Sequence, residues 1–465
     1  MADTKITALT ALTAADPAND VIPIVDVSDT TMAASGTTKK ISVNNILSSS
    51  PTASGALTVT GKVTANTNIE ITRGLLNDGT STGVGATALA ATTAGATGNT
   101  ALGYQAMYRA TTGANNVAIG NSPLSAAAMT GSDNIAIGRS SLSTLSSGVQ
   151  NSAIGLNSGK NLTTGSNNTF LGIASGIEVT TGSGNIAVGL DALNKTAGTG
   201  HTGSNNIAIG VNALSSSAAI TGSDNIGIGT STFRNLSSGS NNVAIGNSAL
   251  NLNVTGTNNT AVGISALQKS TVGDLVAVGA NALVENTTGA NNTAVGRSAM
   301  AAVVTTSNNT ALGYQAAKTT TTGNNTAIGS VAFSLGTTAE GITAVGSQSI
   351  GLATTTGSYS TALGFNSGSA LTSGAGNTFL GVDAGSNTTT GSSNICLGRG
   401  AATEAVGSSN SISIGSSSQY VGTVSNATGY YTSATAILTG VLPATCGFWR
   451  VIINGTARKI AVYAD

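Results

Sequence analysis

One phrase recurs twenty times through the middle of this chain: a β-branched residue, a small residue that is usually Ala, an aliphatic residue, then Gly. It ends at Gly103, Gly120, Gly138, Gly155 and Gly172 and continues to Gly415, with a weaker first copy at Gly85. Successive glycines lie 16 to 21 residues apart, most often 17. A unit this short cannot bury its apolar face alone, so a fixed period of this length means one small unit stacked on itself. The repeat therefore decides the fold class before any other feature: all-β, a parallel β-solenoid of about 20 short coils.

The slots within one repeat are well defined. In Asn115-Asn116-Val117-Ala118-Ile119-Gly120-Asn121-Ser122-Pro123-Leu124, the residue before Gly is aliphatic in all twenty copies. The slot two earlier is β-branched except at Ser152, and the slot between is Ala in fourteen. Four residues after Gly comes a second apolar slot, occupied by Leu89, Met107, Leu124, Leu142 and Leu250 among others. Phrases such as Thr111-Thr112-Gly113-Ala114-Asn115 separate the units, and Gly and Asn tolerate the left-handed backbone of turns. The pattern predicts two short strands and two turns per repeat.

Stacking accounts for the composition. Charged residues are only 7% of the chain, and the net charge is zero. Each residue of a coil lies about 4.8 Å from its equivalent in the next, so a charged slot becomes a column of like charges. Asn and Thr columns can instead hydrogen-bond to themselves. Nineteen such steps give a rod roughly 90 Å long.

A volume coincidence indicates which slots face inward. Phe replaces Ala at Phe170 and Phe379, and the later apolar slot becomes Gly in the same coil and in the one before, at Gly159 and Gly176 and at Gly368 and Gly385. Close packing admits extra volume only with compensation. The Ala slot and the later Leu slot therefore share one narrow interior, with Ala118, Phe170, Leu250 and Phe379 assigned to the lumen. Strand alternation sends the flanking aliphatic slots outward. A stripe containing Ile119, Ile137, Ile154, Ile209, Ile245, Val262, Val295 and Ile328 is too apolar for a soluble monomer to leave in water. Further copies of the same chain are the expected cover.

Other classes are disfavoured. No basic stripe suits nucleic acid, and no segment reaches the apolar length of a membrane helix. Cys396 and Cys446 suggest no disulfide framework. The start, Met1-Ala2-Asp3-Thr4-Lys5, lacks the apolar core of a secretory signal, which predicts a chain made in the cytoplasm and not exported by its own signal.

The ends differ from the array. Residues 1–50, around Val21-Ile22-Pro23-Ile24-Val25, alternate with a period of two and predict a small β-domain; residues 51–80 read as a β neck. The array spans 81–418. Residues 419–465 break the period, and their last run reads as a hairpin with Asn454-Gly455 at its turn.

The repeat phrase Asn242-Val243-Ala244-Ile245-Gly246-Asn247-Ser248-Ala249-Leu250 resembles the head repeat of trimeric autotransporter adhesins of the YadA type. The resemblance covers about residues 82–415 and implies a trimer of left-handed parallel β-rolls, with the aliphatic slots between subunits. The period here is longer, and the secretion signal, coiled-coil stalk and membrane anchor of that family are not found. The segments Thr4-Lys5-Ile6-Thr7-Ala8-Leu9 and Thr37-Thr38-Lys39-Lys40-Ile41-Ser42 resemble the N-terminal attachment module of bacteriophage tail fibres. Gly447-Phe448-Trp449-Arg450 with Lys459-Ile460 resembles the short β-domains that end such fibres. Together these imply a homotrimeric virion fibre on the particle exterior. Its residues 1–50 would bind other virion proteins, and its C-terminal domain would face a host polysaccharide or receptor. A bacterial adhesin head and a polysaccharide-degrading tailspike are the alternatives; an ice-binding solenoid would need a regular Thr-x-Thr face.

Candidate chemical sites are few. His201, the single histidine, shows no paired Cys or Asp and no second His, and reads as part of a loop insertion. Glu178, Asp191, Glu285, Glu340, Asp383 and Glu404 are scattered, whereas a glycosidase needs a close carboxylate pair. No catalytic residue, metal ligand or cofactor is assigned. Cys396 occupies an Ala slot and reads as a small core residue. Tyr430, Tyr431 and Trp449 are candidates for a receptor surface, although aromatics there more readily build the core of a small terminal domain.

Overall fold

The computed structural model describes residues 81–415, apart from 91–94, 127, 195–199 and 404, together with the backbone of 420–423, 448–453 and 456–461. All belong to the unit Ile71–Asp465. The expected domains over 1–50 and 51–80 lie outside the described residues, as do Tyr430, Tyr431, Cys446 and most of 419–465.

The array is a parallel β-solenoid. Twenty short strands, β1 (Thr82–Val84) to β20 (Ser411–Ile414), follow one another through the chain, and each pairs in parallel with the next. The nineteen steps hold one register: Val117 faces Ile135, Ala118 faces Ala136 and Ile119 faces Ile137. The described residues contain no helix. Strand β21 (Tyr420–Thr423) pairs antiparallel with β20, so the last described coil is covered by a reversed strand. Strands β22 (Phe448–Ile453) and β23 (Thr456–Ala461) form a separate antiparallel pair whose register places 454–455 at the connection. Trp449 lies in β22.

Each repeat holds one strand, not the two expected. The second apolar slot lies in a tight corner with left-handed backbone: Leu124 has φ 46°, Leu142 47°, Leu193 50° and Leu250 48°. Two residues earlier the backbone is left-handed again, as at Ser122 and Asn157. An extended strand cannot form through alternate left-handed residues. A leucine in this region loses about 1–2 kcal/mol. Full burial of its side chain contributes about 1.5–3 kcal/mol, and Leu124, Leu142 and Leu250 are fully buried. Burial wins, but narrowly.

The core contains a third inward column that the repeat phrase conceals. It runs through Ala110, Met129, Leu145, Leu162, Val179, His201, Ile220 and Leu236, all buried. Isolated parallel bridges Ala110–Met129, Val179–His201 and Gly336–Thr355 keep it in register. The extra residues of the longer repeats enter at the corner before this column, so the strands stay aligned.

The glycine ending each strand is required by the stack itself. A Cβ added at Gly246 would sit 2.6 Å from the carbonyl oxygen of Gly263, and one at Gly210 would sit 2.8 Å from that of Gly229. The backbone there also has φ near +130°.

Both phenylalanines fill the lumen. A Cβ at Gly159 would lie 2.8 Å from the Phe170 ring, and one at Gly176 would lie 2.5 Å from it. Phe379 presses on Gly368 and Gly385 in the same way. Phe170→Ala should therefore open a void between two glycines and destabilise the array by about 3–5 kcal/mol. Adding Gly176→Leu to that variant restores the usual Ala–Leu pairing of a coil. Thermal unfolding should show most of the loss recovered.

A buried asparagine column runs beside the strands. Asn116 Nδ2 donates to Asn99 Oδ1 at 3.1 Å and to the Gly131 carbonyl at 3.0 Å. Its Oδ1 accepts from the backbone N–H and the Nδ2 of Asn134 at 2.9 and 3.1 Å. The same set recurs at Asn134 and Asn151, and Asn168 donates to Asn151 and the Gly182 carbonyl and accepts the Asn185 N–H. Every polar atom of these amides is paired, so burial does not strand them. Asn168→Leu should destabilise the array by about 1–3 kcal/mol in chemical denaturation, because the Gly182 carbonyl and the Asn185 N–H each lose a buried partner.

Candidate interaction surface

The strands expose one continuous apolar face. The middle residue of each strand points inward: Ala118, Ala136, Phe170, Ala208, Ala244 and Phe379 are buried. The residues on either side point outward. Ile154, Ile209 and Ile245 are 40%, 37% and 38% exposed, and Leu102, Leu171, Leu312 and Leu363 are more so. Ile119, Ile137, Val262, Val295 and Ile328 are half-buried on the same face. Leu250 lies in the lumen with the alanines.

A second outward column widens this face. The residue after each strand-end glycine includes Leu190, Val211, Ile264, Tyr314 and Phe365, all exposed. The same column holds Arg139, Arg297 and Arg399. Arg297 lies over the Tyr314 ring of the next coil, 6.0 Å from its centre. Sequence reasoning stopped at the slot before glycine. The column after it varies too much to read as a motif, although strand alternation through the glycine places it on the same side.

The opposite corners are sealed by polar ladders. Thr111, Thr163, Thr287 and Thr372 each donate a hydroxyl hydrogen to a carbonyl of the next coil at 3.0 Å. A serine column does the reverse: Ser166, Ser183 and Ser204 accept a backbone N–H from the preceding coil. The threonine hydrogens are thus committed to the stack and are not presented to solvent as a template.

The ionisable residues are dispersed along the coils. Among the described residues no group of three His, Cys, Asp or Glu side chains could hold a metal ion. Asp191 accepts from Asn194, Asp383 from Asn366 and Glu340 from Asn324, at 2.7, 2.8 and 3.0 Å. Glu285 pairs with Lys269 of the preceding coil at 2.5 Å. Asp133 and Asp224 accept from Asn115 and Asn205 in the outer turn column. Glu178 lends its backbone carbonyl to the His201 N–H, and Glu404 lies outside the described residues.

His201 is built into the core. Its Nδ1 accepts the Ile220 N–H at 2.8 Å, and its backbone carbonyl accepts from Thr180. The ring is 1% exposed and continues the third inward column.

Comparison with protein-family models, with curated proteins and with solved structures finds no match to this chain.

Cys396 takes the Ala slot of its strand and is fully buried. Burial pushes its thiol up to about 11, opposed by a hydrogen bond to the backbone of Gly385. The folded thiol thus ionises above its ordinary value of 9.0. The stability linked to it is fully present below pH 9 and is lost as pH rises towards 11. Unfolding midpoints measured from pH 8 to 11 should fall more steeply for the natural chain than for Cys396→Ala.

Proposed function

We propose that this chain is the rigid shaft of a virion fibre, in which three copies wind left-handed coils around a common axis. The observation that carries the reading is the one-sided apolar face, which recurs at every coil from Val84 to Ile414. Water-exposed apolar patches of soluble monomers seldom exceed a few hundred Å². A face repeated over nineteen steps of about 4.8 Å exceeds that, and a symmetric association of identical chains buries it at every level.

The reading is structural and binding, without a catalytic step. Residues 1–50 attach the fibre to other virion proteins. The C-terminal segment, with Tyr430, Tyr431 and Trp449, meets the host polysaccharide or receptor. The fibre resemblance of the two ends favours a virion over a bacterial surface.

The mass of the full chain in solution tests the assembly. Light scattering should give three copies, and Ile154→Glu, Ile209→Glu and Ile245→Glu together should give single chains by placing like charges at three levels. A natural chain that stays single, with the apolar face in water, overturns the reading. Peptides of this chain should also appear in mass spectra of purified virions.

A further inference from the structure

The outer turn column has one member that does not belong there. Its occupants have left-handed backbone, and the column reads Asn291, Asn308, Asn324, Gly341, Tyr359, Gly376 and Ser393 over seven successive coils. Earlier coils place Asn, Asp, Gln or Gly there. These residues suit the left-handed region, Asn, Asp and Gly best of all, because a short polar side chain or a missing Cβ relieves the clash. Tyr359 sits there with φ 60°. A bulky residue in this conformation is an outlier held against its own preference.

The tyrosine is not held there by burial. Tyr359 is 68% exposed, the most exposed large apolar residue among those described. Both neighbours in its column are glycines. A Cβ at Gly341 would lie 2.8 Å from Tyr359 Cδ1 and 3.2 Å from Cε1, so the ring rests against that glycine. A Cβ at Gly376, the neighbour in the following coil, would point onward and meet only Ser393 Oγ at 3.9 Å. Gly341 thus seats the ring, and Gly376 brings no side chain of its own to the next position in the column.

Hydrogen-bonding groups lie beside the platform. The Tyr359 N–H donates to the Glu340 carbonyl at 2.8 Å, which sets the two residues side by side in adjacent coils. The Glu340 carboxylate is partly exposed and accepts from Asn324 at 3.0 Å. An aromatic face with an adjacent carboxylate and amide matches a pyranose, whose C–H face stacks on a ring while its hydroxyls donate to carboxylate oxygens.

We infer that Tyr359, with Gly341 and Gly376 on either side and Glu340 and Asn324 beside it, is a sugar-stacking platform on the side of the shaft. Its ligand class is a β-linked, gluco-configured oligosaccharide, because that configuration presents a flat C–H face. This site is separate from the apolar face and from the C-terminal segment, and it does not depend on the virion reading.

The test uses the full chain with chitohexaose and cellohexaose, followed by saturation-transfer NMR and calorimetry. The natural chain should bind at least one of them. Tyr359→Phe should bind within a few-fold of it. Tyr359→Asn should weaken binding about tenfold, the loss of one stacking contact. Tyr359→Asn should also raise the melting temperature, since Asn is at ease in this backbone, and should leave the oligomeric mass unchanged. Absence of binding to either sugar, undiminished binding by Tyr359→Asn, or a lowered melting temperature in that variant would each overturn the inference.

Discussion

The carbonyl of each strand-end glycine occupies the space where the Cβ of the preceding glycine would be, and the rest of the array follows from that closeness. A backbone packed against its own repeat allows a side chain at few positions. It fixes the step between coils at the spacing of hydrogen-bonded strands. Every slot then meets its own kind above and below, so a residue is chosen for how it stacks on itself. Ala stacks in the lumen, Asn stacks by hydrogen bonding to Asn, and charge is kept to scattered sites. The near absence of charge is therefore a consequence of translation along the axis.

The same constraint explains how so much polarity can be buried. An isolated buried amide loses more by desolvation than one hydrogen bond returns. Along most of this column an amide donates one hydrogen to the Asn of the preceding coil and accepts one from the Asn of the following coil. The ladder holds an aliphatic residue at Leu275 and at Ile342, both buried. At each break the backbone N–H still donates to the preceding Asn, at 3.1 and 2.9 Å. An aliphatic residue is tolerated because the chain crosses the gap through its main chain.

Much of the array was legible in the sequence because one residue per coil cannot vary. The strand triplets, their parallel register and the inward middle slot follow from the glycine and the alternation of strand side chains. Phe170 and its two glycines could be read because a change of volume had to be matched within contact distance. Two features were hidden. The Leu124 type of slot looks like part of a strand, because leucine is a poor signal for left-handed backbone; its conformation is dictated by the corner it fills. The third inward column, from Ala110 to Thr388, mixes Leu, His, Asn, Ser and Thr. It also shifts against the strand glycine wherever a corner is lengthened. A column without a fixed residue type or a fixed offset leaves no periodic trace. The face after the strand glycine was missed for the first of these reasons.

The departures from the repeat fall into two groups, and the difference between them carries the functional argument. Inside the coils a departure is matched by its neighbours: Phe170 and Phe379 are each bracketed by glycines that would otherwise be large, and His201 takes up a backbone N–H where its column holds aliphatic residues. These changes preserve packing. On the surface the logic differs. Arg297 reaches over Tyr314 of the next coil, whereas Tyr359, between two glycines, is exposed in a backbone that disfavours a bulky residue. A repeat array tolerates a local loss because each coil is held mainly by its two neighbours. Stacking alone would favour Asn or Gly at position 359, so an exposed, strained aromatic there points to contact with something outside the array.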